Sequence, residues 1–298
     1  HFADYTPEMF DMVLDSGEQI AERHLRPHFV DADRKQAELI DGTVQVHPSV
    51  EAYVKEMGES GMIGATFSYE KGGQQLPSIV GGANEFIRGA ANNSIVMFTG
   101  LSNGAAHLIA SFGSEELKQA YVPNMLNGKW TGTMCLTEPQ AGSSLNDVST
   151  TAKDLGNGTY AIKGQKIFIS NGQLADLVVV AAKTQPELGA RGVSLFLVDT
   201  TRPGFARGRN LEKLGMHAQD TSELFFDDVW VPANCLLGQE GKGFAYLMNE
   251  LPQERLLVAM TAVGAMESGL RWTCAHVQER KAFGAPLAEK QVVRHALA

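Results

Sequence analysis

Residues 133–144 read TMCLTEPQAGSS, and here the periodicity of the chain changes. A β-prone run delivers Thr137, then breaks at Pro139 into a turn holding Gly142, Ser143 and Ser144. Such a turn offers backbone N–H groups and hydroxyls to a ligand, and a glycine lets a large flat or phosphorylated group come close. Local composition alone favours the plainer reading of a polar β-turn.

From there the period is that of strands: WTGTMCLTEP, GTYAIKGQKIFIS, DLVVVAAK, GVSLFLVDT and SELFFDDVWVP are five short β-rich runs between Gly, Pro, Asn and Asp turns. They predict a β-sandwich or barrel over residues 131–236. Upstream, residues 1–130 are helical in period. Phe10, Val13, Leu14, Gly17, Ile20, Ala21 and Leu25 form one stripe, SVEAYVKEMGESG another, and Ser114 is placed to cap a helix beginning EELKQ. Glycines recur through residues 81–104, as close helix packing or pocket lining requires. After Gly238 the helical period returns over 237–298. Val292, Val293, Ala296 and Leu297 meet no stop signal, so the last helix is expected to run off the end and the molecule to be incomplete. Helices, then strands, then helices make an α+β protein with segregated layers; no GxGxxG follows a strand, so a Rossmann site has no support.

The chain has 298 residues, 44% of them hydrophobic and 20% charged, and a formal net charge of −9. That acidic balance, without a dense Lys/Arg run, speaks against nucleic acid. Cys135, Cys235 and Cys274 are odd in number and widely spaced, which argues against a disulfide framework or a CxxC metal site; no metal is expected. No apolar run suggests a bilayer span. Since residue 1 is His, a removed targeting segment stays open.

Two further stretches carry chemistry. In KGQKIFISNG (163–172), strand alternation puts Phe168 and Ser170 on one face, a ring to stack on a planar cofactor and a hydroxyl to bond its edge. In LMNELPQERLLVAM (247–260), a helix aligns Leu247, Leu251, Glu254, Val258 and Ala262, so a carboxylate occupies an apolar stripe. The bland readings of Glu254 are the first turn of a helix begun by Pro252, a paired acid, or an exposed one. Arg255 is adjacent, but helix neighbours one apart do not face each other.

CLTEPQAGSS, KIFISNG, KLGMHAQDTSELFFDDVWVP and ERKAFGAPL together resemble signatures of the acyl-CoA dehydrogenase family, in order and at the right spacing over nearly the whole chain. The resemblance implies a helical N-terminal domain, a middle β-domain and the start of a C-terminal helical bundle, with FAD and an acyl-CoA thioester between them. By motif, Met134, Leu136, Thr137, Gly142 and Ser143 would line the flavin, with Ser143 also near CoA; Phe168, Ile169 and Ser170 would lie beside the isoalloxazine. Many relatives carry tryptophan where Phe168 stands, and GAGSD where this chain reads QAGSS, which weakens the phosphate contacts beyond Ser143. ERKAFGAPLAEKQ resembles the element that reaches the FAD of a neighbouring subunit, nominating Arg280, Phe283 and Gln291 and a homodimer or homotetramer.

The implied reaction is α,β-dehydrogenation to the trans-2-enoyl-CoA, with electrons passed to an electron-transferring flavoprotein. In many members the base is a glutamate of the later C-terminal domain, which this chain lacks. ELPQERLL resembles the long-chain and isovaleryl-type branch, where the base lies on this earlier helix, at Glu254. Arg255 and Gly100 are nominated on the substrate side, Gly100 with Phe98–Leu101 as a pocket floor deep enough for a long chain. The resemblance places a bacterial chain in the cytoplasm and a eukaryotic one in the mitochondrial matrix. An acyl-CoA oxidase using O2, or a catalytically silent binding protein, are the alternatives.

Overall fold

The computed structural model describes residues 2–298. Helix α1, Pro7–Ile20, starts where Thr6 accepts a hydrogen bond from the Met9 N–H, with Pro7 in the first turn and Glu8 at the positive end of the dipole. The expected stripe buries Gly17, Ile20, Ala21 and Leu25. Helices α2 (Phe29–Arg34) and α3 (Ser49–Glu59) follow. Between them lies a hairpin that the helical reading of this region did not anticipate, β1 (Glu38–Ile40) with β2 (Thr43–Gln45). Its turn, Asp41-Gly42, has both residues at positive φ (50° and 78°), and the Asp-Gly pair is the sequence signal for it.

Helix α4, Ser78–Phe112, is two helical pieces joined at Asn92, whose backbone is extended (φ −165°, ψ 91°). Asn92 restarts the helix by accepting the Ile95 N–H on its own Oδ1 at 3.4 Å, as an N-cap does. By length and composition alone α4 could cross a bilayer, but 61% of its most apolar window is buried inside the protein, as in a core helix. It packs against α1, α3, β3 and two helices still to come, and is the central rod of the helical part. Helix α5, Glu115–Leu126, begins at Ser114, whose hydroxyl accepts the Leu117 N–H.

Seven strands form one curled sheet: β3 (Gly132–Cys135), β4 (Thr151–Asp154), β5 (Thr159–Ser170), β6 (Leu177–Lys183), β7 (Val193–Asp199), β8 (Phe205–Asn210) and β9 (Thr221–Pro232). The five expected runs are all present. The extra two, TAKD and FARGRN, are short and polar and lack alternation. β6 is central: β3 and β4 run parallel to it and β7 antiparallel, with no helix crossing over between the parallel pairs. Its residues alternate between two cores, Leu177, Val179 and Ala181 toward the helices and Val178, Val180 and Ala182 into the sheet's own interior.

Helix α6 runs from Gly243 to Glu279 with Pro252 inside, which removes the alternative of a helix begun at Pro252 and keeps the one spanning Leu247 to Ala262. Its buried positions are Gly243, Leu247, Thr261, Gly264, Ser268 and Val277, whereas Val258 and Ala262 of the predicted stripe are exposed. Small residues let α6 approach α4 closely: Ser268 Oγ donates to Ala90 O at 3.0 Å, and a Cβ added to Gly264 would fall 2.5 Å from Phe86 O. The hairpin β10 (Lys281–Ala282) with β11 (Ala285–Pro286) and helix α7 (Gln291–Leu297) complete the chain.

Because that carbonyl is backbone and cannot step aside, Gly264→Ala is expected to destabilise the protein by about 1–3 kcal/mol. Gly269→Ala, one turn on and with nothing within 4 Å of its added Cβ, should instead leave stability unchanged or raise it by about 0.5–1 kcal/mol. Urea melts of the two variants check this; equal losses would show the glycine contact to be loose.

Candidate active site

The two pieces of α4, the start of α6 and the segment after α3 enclose a cavity of about 270 Å³. Its walls are mainly apolar, with Met57, Ile63, Val96, Met97, Leu257 and Met260 among them. Glu254 and Met134 border it as well, which brings together two residues that the resemblance nominated, one on α6 and one on β3. The contact is made over Gly104: a Cβ there would lie 3.0 Å from Glu254 Oε1 and 3.2 Å from Met134 Cε. Gly104 was not singled out in the sequence, although its glycine-rich segment was.

Glu254 is half-buried and forms no ion pair among the described residues. Burial pushes its pKa up, and the Glu250 carboxylate one turn earlier pushes it further. Glu250 itself is held by His107 of α4, Nδ1 to Oε2 at 2.7 Å, and His107 also borders the cavity. Neither residue was nominated; the available signal was the i, i+4 spacing of the two acids, which puts them on one face. Arg255 is exposed and outside the cavity wall, so the structure does not place it at the substrate side. Gly100 does border the cavity, and a Cβ there would meet nothing within 4 Å. Phe98, by contrast, is core, 1% exposed.

The strand-to-turn stretch lies at the end of β3. Thr137 O accepts the Ile167 N–H at 3.0 Å, which ties the turn to β5. Gly142 and Ser143 are exposed, and a Cβ on Gly142 would meet open space. Beneath them Glu138 and Lys166 form a fully buried pair, Nζ to Oε1 at 2.8 Å. Burial alone would raise the Glu138 pKa, but Lys166 and the neighbouring donors hold it down at about 2. Met134, Leu136 and Thr137 are partly exposed, as is Ser170, whose hydroxyl lies 3.4 Å from that of Thr221.

Strict alternation fails in β5. The register with β9 shifts between Lys166 and Ile169, and Phe168 adopts φ 58°, which turns its ring out to 64% exposure. The bulge, not a shared strand face, is what presents Phe168. Ile169 points the other way into the sheet core at 3% exposure, so only its backbone is available to a ligand. Arg280, Phe283 and Gln291 are all exposed and none borders the cavity; Phe283 is in the β10–β11 turn at φ 55°. Elsewhere His28, Asp31 and His47 converge within 4.8 Å, where the sequence suggested no metal site; His47 already bonds Asp31 and Ser49 there.

The residues fit a flavin at the sheet edge. An exposed ring forced out by a bulge, three accessible hydroxyls (Thr137, Ser143, Ser170) and a glycine with open space above it suit a flat ring bearing a polar edge and phosphates.

Sequence comparison agrees with this architecture. Residues 7–129, 133–229 and 241–298 match the models of the N-terminal, middle and C-terminal domains of acyl-CoA dehydrogenases. The chain therefore belongs to the acyl-CoA dehydrogenase family. It is similar to the mouse mitochondrial long-chain specific acyl-CoA dehydrogenase, 51% identical over 64% of this chain and 44% of that protein. The human short-chain specific enzyme is 33% identical over 98% of this chain and 68% of its own length. Among solved structures, an acyl-CoA dehydrogenase from Geobacillus kaustophilus superposes with a TM-score of 0.87 at 39% identity, over 98% of this chain and 74% of that one. The match to the mouse enzyme thus spans less than half of its length.

A raised carboxylate pKa also has a stability consequence. Ionising Glu254 works against the fold, so the stability it allows is complete below about pH 4 and is lost as pH rises through the raised value. Glu254→Gln is expected to melt with the wild type near pH 4 and above it at neutral pH. A constant difference at both pH values would mean that the carboxyl is solvated.

Proposed function

We propose that the protein catalyses α,β-dehydrogenation of an acyl-CoA thioester to the trans-2-enoyl-CoA, with Glu254 as the base for the α-proton. One observation carries this reading: a carboxyl with no cationic partner, its pKa raised, at an apolar cavity and directly beside Met134 of the strand that leads to the Thr137–Ser143 turn. The α-proton of a thioester is weakly acidic, so its removal needs a base that is both basic and fixed in position. Burial and Glu250 keep Glu254 basic, α6 fixes it, and Gly104 leaves room in front of it. An acyl chain filling the apolar walls would expel water and strengthen the first effect. The open flank at Gly100 favours a chain longer than the shortest acyl groups.

Bound FAD would supply the acceptor for the β-hydride. Met134, Leu136, Thr137, Gly142, Ser143, Phe168 and Ser170 are the residues proposed to hold it, with Ile169 contributing backbone alone and Ser143 shared with CoA. Arg280, Phe283 and Gln291 are proposed to reach the FAD of a neighbouring subunit in a homodimer or homotetramer; the arginine fork suits a pyrophosphate. Electron-transferring flavoprotein is the proposed electron acceptor.

Purified protein is expected to show flavin absorption that bleaches anaerobically on adding acyl-CoA. Glu254→Gln should retain the flavin and slow bleaching by at least about a hundredfold. Bleaching at the wild-type rate would place the base elsewhere, and hydrogen peroxide release under air would favour an oxidase.

A further inference from the structure

The far wall of the cavity is polar. Arg88, only 3% exposed, ion-pairs through Nη2 with Glu85, reaches Met57 Sδ with Nη1 at 3.0 Å, and leaves Nε without a partner. Asn93 Oδ1 is likewise unpartnered, and the Thr99 hydroxyl shares a 3.2 Å hydrogen bond with buried Tyr53. Glu85, Arg88, Asn93 and Thr99 all border the same cavity as Glu254, and the Glu85 side chain keeps 23% exposure. A wall meant only for an alkyl chain has no use for a charged pair, since covering it with methylenes desolvates both groups and returns no hydrogen bond.

Position and charge narrow the ligand. A Cβ on Gly89, next to Arg88, would lie 2.2 Å from Thr261 Cγ2, and Thr261 is seven residues along α6 from Glu254, or about 10 Å of helical rise. The polar wall therefore faces the distal part of an acyl chain, away from the reacting carbons. Glu85 and Arg88 are neutral as a unit. A terminal carboxylate would meet Glu85, and an ammonium would meet Arg88. A hydroxyl can donate to the one and accept from the other.

We propose that this cavity selects acyl chains bearing a hydroxyl distal to the thioester, bound between Glu85 and Arg88. The proposal rests on the acyl-CoA reading above.

The test compares kcat/KM of the flavin-loaded protein for saturated acyl-CoAs from hexanoyl to lauroyl with their ω-hydroxy and ω-carboxy analogues. At the best-fitting length the hydroxy analogue is expected to be favoured over the plain chain by about tenfold, the worth of one buried hydrogen-bonded pairing. The carboxy analogue should be the poorest of the three. In the double variant Glu85→Gln, Arg88→Met, which strands no lone charge, the hydroxy-to-plain ratio should fall toward one. A wild-type ratio at or below one, a preferred carboxy analogue, or a ratio unchanged in the double variant overturns the proposal. The wild-type comparison decides it even where the variant fails to fold. If no acyl-CoA is turned over, the dehydrogenase reading fails instead; calorimetric binding of the same compounds then tests the subsite, and equal affinities for plain and hydroxylated chains overturn it.

Discussion

The site depends on a lysine with no exposed surface. Lys166 Nζ donates to Glu138 Oε1 at 2.8 Å and to Leu136 O at 3.1 Å, from the middle of β5 to the end of β3. Glu138 in turn accepts from the Ser149 N–H and hydroxyl, the Thr150 N–H and the Gln140 amide, so its carboxylate closes the loop between β3 and β4. Removing two charges from water costs several kcal/mol each, and an apolar pair would hold the sheet together at least as well. What the ion pair adds is register. It fixes the Thr137–Ser143 turn relative to the bulge that begins one residue after Lys166, and those two pieces supply most of the middle-sheet residues proposed to face the flavin, Met134 and Leu136 lying just before the turn.

The helical side solves a different problem, which is to bring a carboxylate close to that sheet edge without filling the space between. Glycines do this in two ways. Gly89 and Gly264 let α4 and α6 touch, while Gly100 leaves open space at the cavity wall and Gly104 admits the Glu254 carboxyl and the Met134 side chain. Between these two sets of glycines Asn92 breaks α4 and caps its second piece.

Much of this was legible in the sequence because it lies in local pattern. Ser114 as a cap, the Gly17–Leu25 stripe and the five β-runs follow from period and turn chemistry alone, and the four motifs gave the family. The failures are tertiary. Phe168 looked like an alternating strand residue, but a bulge exposes it, and no local signal marks the register shift with β9. The helix through 247–262 is present with Pro252 inside it, Leu247 and Phe244 packing against the core before the proline. Val258 and Ala262 were assigned to the buried stripe because one face was assumed; α6 instead buries the neighbouring rows that meet α4.

The two acids of α6 show how position divides chemistry between like groups. Glu250 and Glu254 share a helix face one turn apart, so charge on either opposes charge on the other. His107 Nδ1 lies 2.7 Å from Glu250 Oε2, which leaves Glu254 alone against the apolar wall. A base must remain willing to accept a proton, and a directly paired carboxylate is not. With Glu250 turned to His107, Glu254 keeps its place at the apolar wall without a partner, and burial first, then the Glu250 carboxylate one turn away, raise its pKa.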